Sequence, residues 1–307
     1  MTQHISSKEQ NLNIKSTKVT GTKISAWLDD QAIAAWVFLA PALLILGIFV
    51  LFPVLYMAYL SVTDGHLTLG GVRWVGLNNY VRLLKNPDFW QILGNTIYFT
   101  FWTLIPSIVL PLGLAVLLNR NFVGKGFWRS LFFLPSVVSI VAAGLGWRWL
   151  FQPDGIINGI FGLNPPLAWF NDPNLAMAVL ILLSIWKQLG FNMVVFLAGL
   201  QAIPQSRYEA AELDGADAWA QFWHITIPGL RPTTIFVVIS TVIFTFRSFE
   251  QVYVVTGGGP LNATNILVYY IYEQAFGMFD FGYAAAAAVL MLVVVLGLVY
   301  AQLKISD

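Results

Sequence analysis

Residues 174–217 read NLAMAVLILLSIWKQLGFNMVVFLAGLQAIPQSRYEAAELDGAD. Two kinds of sequence meet here. From 174 to 200 the chain is almost wholly apolar and exceeds the roughly 20 residues a helix needs to cross a bilayer. From 204 onward it is small, polar and acidic. The pattern predicts a membrane helix running directly into a folded polar loop. Five further apolar spans of sufficient length lie at 34–60, 96–118, 131–151, 234–255 and 283–303. Several contain Pro or Gly, which membrane helices tolerate when neighbours satisfy the freed backbone groups. The expected fold is an all-α membrane protein with six transmembrane helices.

Composition supports this. Of 307 residues 58% are hydrophobic and only 10% charged, against about 25% charged in an average soluble domain. Mean hydropathy is +0.72. Such a chain cannot cover a water-facing surface, which excludes a soluble globular enzyme. A net charge of +1 offers no basic field for nucleic acid. The absence of cysteine removes disulfides, thiolate catalysis and Cys-ligated metals together. Aromatic residues make up 15%, with 12 Trp, as suits rings placed at membrane interfaces. Residues 1–30 are polar and lack the apolar core of a cleavable leader. They are expected to form a disordered cytoplasmic tail, with the membrane domain covering 31–307.

Orientation follows from Lys and Arg in the connecting segments. One side carries Lys8, Lys15, Lys18, Lys23, Arg120, Lys125, Arg129, Arg207, Arg231 and Lys304; the other carries Arg73, Arg82 and Lys85. Both termini are therefore expected in the cytoplasm. On the outer side, 74–84 reads as a short amphipathic helix, and 152–173 and 256–280 as loops without Lys or Arg.

Catalytic signals are missing. A phosphate-binding loop ending at Gly124-Lys125 would need Gly at 119 and Ser or Thr at 126, where the chain has Asn119 and Gly126. His4, His66 and His224 are far apart in sequence. No serine is flanked by glycines in the nucleophile-elbow pattern. No cofactor or metal site is expected in this chain.

The polar loop at about 204–232 is the most organised segment. Ser206 followed by Glu209 reads as a capping box opening a helix at about 207–213. Gly215 is placed to supply the left-handed residue that ends it. A second helix is expected over about 216–223, limited by Pro228. Ala210, Ala211, Gly215 and Ala216 allow another protein to come close. Glu209, Glu212, Asp214 and Asp217 against Arg207 make the loop acidic.

The pattern Glu209-Ala210-Ala211-Glu212-Leu213-Asp214-Gly215, with Ile225-Thr226-Ile227-Pro228, resembles the signature loop of permease subunits of ATP-binding-cassette importers. Asp214, Ala216, Phe222 and Pro232 resemble its carbohydrate-uptake branch. So do Leu134-Pro135, 147–151 and the run from Tyr253 to Gly257-Gly258-Gly259-Pro260. The likeness is to the first permease of a maltose-type or glycerol-phosphate-type pair and covers nearly the whole chain after the tail, although the large periplasmic insertion of the enteric maltose subunit is replaced by 152–173. The resemblance implies a type I importer fold in the bacterial inner membrane and a non-catalytic role. The implied partners are a second homologous permease, two ATPase subunits that bind ATP-Mg, a periplasmic or lipid-anchored solute-binding protein, and membrane lipid. It also implies that Glu209, Ala210, Ala211, Asp214, Gly215, Ala216, Phe222 and Pro228 form the coupling loop that docks on the ATPase.

Ionisable groups within a bilayer cost about 2.5–3.5 kcal/mol on insertion scales, so Lys187 is informative. At helical spacing it shares a face with Gln188, Phe191, Asn192 and Val195, with Trp186 beside it. Thr241, Phe244, Ser248 and Gln251 share a face of the fifth span. Trp186, Lys187, Asn192, Thr241, Ser248 and Gln251 are therefore candidates for lining a solute path; interhelical hydrogen bonding is the alternative. Arg247 and Glu250 are expected at the outer end, as a simple pair or a gate. An ion-coupled secondary transporter is the competing reading, which would favour carboxylates within the membrane.

Overall fold

The computed structural model describes residues 31–65 and 72–306. The expectation for 1–30 lies outside the described residues. Residues 31–55 and those from Tyr56 onward form two separately compact units.

The first unit is helical, with α1 (Gln31–Leu46) followed by a wide π-helical turn, Gly47–Leu51, and the first residues of α2 (Phe52–Leu60), whose remainder belongs to the second unit. The turn precedes Pro53. Proline lacks an N–H and collides with the carbonyl four residues back; the wider turn moves that carbonyl away and pairs Phe52 N–H with Gly47 instead. The apolar surface of 35–60 is unburied, as suits lipid.

The second unit continues as α3 (Asn78–Lys85), α4 (Pro87–Asn119), α5 (Lys125–Val137), α6 (Ile140–Leu150), α7 (Ile156–Ile160), α8 (Pro173–Ala202), α9 (Gln205–Leu213), α10 (Ala218–Gln221), α11 (Ile227–Gly229), α12 (Arg231–Phe246), α13 (Glu250–Val255), α14 (Leu267–Tyr272) and α15 (Phe281–Ser306). Among the described residues the one β pairing is the isolated bridge between Thr63 and Trp74. Four helical stretches among the described residues, 35–60, α4, α8 and α15, are long and apolar enough to cross a membrane. Two bent pairs raise the number to as many as six: α5 with α6 at 95°, and Ala218–Gly229 with α12 at 62°.

The sequence boundaries shift for identifiable reasons. α4 begins nine residues before the expected start, because Asn86 caps it through Asp88 N–H (3.0 Å) and Pro87 occupies the first turn. Asp172 likewise caps α8 through Asn174 and Leu175 N–H. The third span is not one helix but two, parted at Val138 and Ser139. The fifth breaks between Phe246 and Glu250. The 152–173 loop is organised around Asn158, whose amide meets the carbonyls of Gln152, Pro153 and Leu167 and accepts from Trp169 Nε1. The 256–280 segment contains α14, and Asn265 donates to Glu273 at 2.6 Å, where loss of solvation pushes the carboxyl up from its ordinary value.

Lipid offers helices little hydrophobic gain from pairing, so fit and polar links decide packing. α4 packs chiefly against α8 along Phe99, Thr103, Ser107, Pro111, Ala115 and Leu118, mostly three or four residues apart. Met193, Phe196 and Leu230 fill the core at one end of the bundle, with Leu180, Leu183, Val252 and Ile266 at the other. Buried Asn79 anchors α3 by donating to the carbonyls of Ser61 (3.0 Å) and Thr63 (2.7 Å). Asn79→Leu leaves both carbonyls unpaired and should cost about 2–3 kcal/mol, read as a lower thermal unfolding temperature in detergent.

Candidate functional site

Two features stand out from the helical framework: a helical elbow between α8 and α12, and a polar cavity where the broken spans meet.

The elbow starts with Pro204, whose fixed φ of −59° leads directly into α9. Arg207 N–H closes the first turn on the Pro204 carbonyl at 3.1 Å. The expected capping box does not form. Ser206 is already inside the first turn, and no side chain caps this end. The other end follows expectation. Gly215 takes φ +81°, its N–H bonds Glu212 (3.0 Å), and Ala216 N–H reaches back to Ala211 (2.9 Å). This pair of bonds is the common glycine-terminated helix end.

Asp217 then caps α10 by accepting from Ala220 N–H at 2.7 Å. Contrary to the expected stop, the helical path runs on through Pro228. A π-helical turn at Phe222–Thr226 precedes that proline, pairing Ile227 N–H with Phe222. This repeats the arrangement ahead of Pro53. Tyr208 Oη braces the two arms against Thr226 Oγ1 at 2.9 Å, and Gln221 Nε2 secures the turn by donating to Ala216 at 3.1 Å. Tyr208 and Ile225 pack against the core containing Leu230. A cavity of about 310 Å³ lies between the end of α4 (Val116, Asn119, Arg120) and the elbow (Tyr208, Glu212, Phe222).

The elbow's base is thus tied down and its tip is open. Glu209, Ala210, Asp214 and Gly215 are exposed, Ala211 and Ala216 half-buried. Phe222 faces the cavity and Pro228 sits at the base. The sequence reading missed three large apolar side chains at the tip: Leu213 is 90% exposed, Trp219 67% and Trp223 48%. Trp219, Phe222 and Trp223 form a ring cluster with centroids 5.5–6.1 Å apart. Three rings within five residues of an otherwise polar loop were the available signal.

The second cavity, about 500 Å³, is lined by Ile140, Lys187, Ser240, Ile243, Phe244, Arg247, Ser248, Glu250 and Gln251. It lies beside the breaks of the third and fifth spans and the middle of α8. Of the sequence candidates, Lys187, Ser248 and Gln251 meet here. Gln251 is held by donating to Ser184 Oγ at 2.9 Å, and Ser248 donates to the Phe244 carbonyl at 2.9 Å. The other three lie elsewhere. Asn192 donates to the Ser107 carbonyl (2.8 Å) and Thr241 Oγ1 (3.4 Å), and both Asn192 and Thr241 are buried in the contact with α4. Trp186 joins a ring cluster with Trp147 at 5.8 Å. Arg247 and Glu250 form no ion pair: among the described residues the salt bridge found is Arg82–Asp280. No cluster of three or more His, Asp or Glu appears among the described residues.

Among the described residues the chain is almost wholly helical, with broken spans, a cavity beside the breaks and an exposed elbow, as suits a membrane-embedded transport subunit. The chain belongs to the family of binding-protein-dependent transport system inner membrane components, which matches residues 98–306. It is 36% identical over 297 residues to the arabinooligosaccharides transport system permease protein AraP of Bacillus subtilis (strain 168), covering 94% of each chain. It is 37% identical to the lactose transport system permease protein LacF of Rhizobium radiobacter, covering 87% of this chain and 92% of the relative. Its fold matches a chain of a bacterial alginate ABC transporter in complex with an alginate pentasaccharide-bound periplasmic protein, with a TM-score of 0.79, 23% identity, and 92% and 96% of the two chains covered. Membership places the chain in binding-protein-dependent transport and sets aside the ion-coupled carrier.

Loss of the Asp217 cap should loosen α10 by about 1 kcal/mol. Asp217→Ala is expected to speed proteolytic cleavage within 214–223 about fivefold, measured on the purified protein.

Proposed function

We propose that this chain is one of two homologous permease subunits of an ATP-driven importer for a sugar or sugar-like solute. A periplasmic or lipid-anchored binding protein delivers the solute, and two ATPase subunits, which bind ATP-Mg, grip the elbow at Glu209–Ala216. Both termini lie in the cytoplasm of a bacterial cell. The observation that carries this reading is the elbow: a tip of exposed carboxylates, small residues and rings, set on a base braced by Tyr208–Thr226 and packed into the core. A braced base carrying an exposed, acidic and aromatic tip suits the transfer of motion from a separate motor.

The carbohydrate assignment rests on the names of the relatives and on the cavity's chemistry. Ser240, Ser248 and Gln251 offer hydroxyl and amide groups, while Phe244 offers an aromatic face for a sugar ring. Arg247 and Glu250 supply a donor and an acceptor for hydroxyls. Asn192 links α8 to Ser107 of α4 and Thr241 of α12, and Trp186 packs against Trp147, so these three order the helices and do not line the cavity. ATP-driven closure of the ATPases draws the elbows together and turns the cavity outward to receive solute; hydrolysis resets it. Only a ligand that binds one state better than the other shifts such an equilibrium, and here the nucleotide supplies that bias. This chain performs no covalent chemistry on the solute.

In a reconstituted complex, ATP hydrolysis should rise on addition of the cognate binding protein as purified from cells. Gly215→Asp forces a side chain onto a left-handed residue and adds charge between Asp214 and Asp217, so uptake should be lost while the complex still assembles. Uptake at the wild-type rate in this variant would contradict the coupling role.

A further inference from the structure

Lys187 is a membrane-depth cation whose surroundings are unusual. Its ammonium donates to three backbone carbonyls, those of Pro135 (3.0 Å), Ser136 (3.1 Å) and Val138. An ammonium has three N–H bonds, so its donors are used. These carbonyls belong to the last turn and C-cap of α5, where a helix end offers them no amide partner. The contact is reciprocal. Ser136 Oγ accepts from Phe191 N–H (3.1 Å) and donates to the Lys187 carbonyl (3.3 Å). The hydroxyl is thereby inserted into an i,i+4 pair of α8. Between them Gly190 lets the backbones meet: a Cβ there would stand 2.3 Å from the Phe132 carbonyl oxygen.

We propose that Lys187 and Ser136 form a reciprocal clamp that fixes the break of the third span against α8. Lys187 is then a positioning residue for the cavity wall, with its charge directed into the protein and not a ligand for the solute. The clamp holds Ile140, at the start of α6, and Lys187 itself on one rigid side of the cavity. It goes beyond the importer reading and does not depend on which solute is carried.

The test uses the complete transporter in lipid nanodiscs. Hydrogen exchange of peptides covering 132–143 and 186–192 should rise about tenfold in Lys187→Met, the loss expected for hydrogen bonds to a charged donor. Lys187→Arg, which keeps a multi-donor cation, should return exchange close to wild type. ATP hydrolysis stimulated by the purified binding protein should fall in maximal rate in Lys187→Met while the half-saturating binding-protein concentration stays unchanged. Wild-type exchange in Lys187→Met, or failure of arginine to restore it, overturns the clamp. So does an unchanged maximal rate of stimulated ATP hydrolysis in Lys187→Met. Should Lys187→Met fail to assemble, Ser136→Ala removes only a hydroxyl and should raise the same exchange about threefold; unchanged exchange there overturns the proposal equally. Absence of ATPase stimulation in the wild-type complex would instead count against the importer reading and leave the exchange result independent.

Discussion

A bilayer interior supplies no water to backbone amides and carbonyls, so each must find a partner within the protein. Much of this fold follows from meeting that demand while still breaking its helices. Ahead of Pro53 the chain widens by one π-helical turn and redirects an amide to the carbonyl five residues back. At the 95° bend of the third span no such local remedy exists, and Lys187 supplies donors from the neighbouring helix. The breaks leave room between helices, and the larger polar cavity lies there. Irregular backbone at membrane depth is tolerated where protein or an aqueous cavity covers it, which ties the cavity to the breaks physically.

The elbow obeys the opposite logic. It is short, polar and exposed, and helices this small are marginal alone. Its stability comes from its ends: Pro204 at the start, Gly215 at the reversal, Asp217 at the second start, and Tyr208–Thr226 across the base. α8 leads into the elbow and also carries Lys187 and Ser184, the partner of Gln251, so elbow and cavity share one helix.

Much of the architecture was legible because the bilayer demands long apolar spans and the chain supplies them. Boundaries were less so. Asn86-Pro87 was a readable start signal for α4, yet apolar content alone placed the start at 96. The third span looked continuous because Val137, Val138 and Ile140 are apolar whether helical or not; only the carbonyls that turn to Lys187 and not to a helix amide reveal the break. The pairing of Ser206 with Glu209 suggested a cap, but Pro204 starts the helix earlier. Helical spacing set Lys187, Gln188 and Asn192 on one face, while the structure sends Asn192 into the α4 contact and Lys187 to the break. A stripe on a single helix cannot show which neighbour each member faces. Tyr208 and Thr226 carried no signal, since a bond across eighteen residues depends on the elbow's three-dimensional path.

The account stands on the elbow's tip being held by a separate ATPase. The chain has no cysteine, so Ala210→Cys would introduce a single thiol at an exposed position of this subunit. Its maleimide labelling can be followed in inside-out membrane vesicles, first with the ATPase subunits bound and then after they are stripped away. The account predicts slow labelling in the assembled complex and fast labelling after stripping. Equal, fast labelling in both would show the tip open to water in the working complex and would contradict the mechanism.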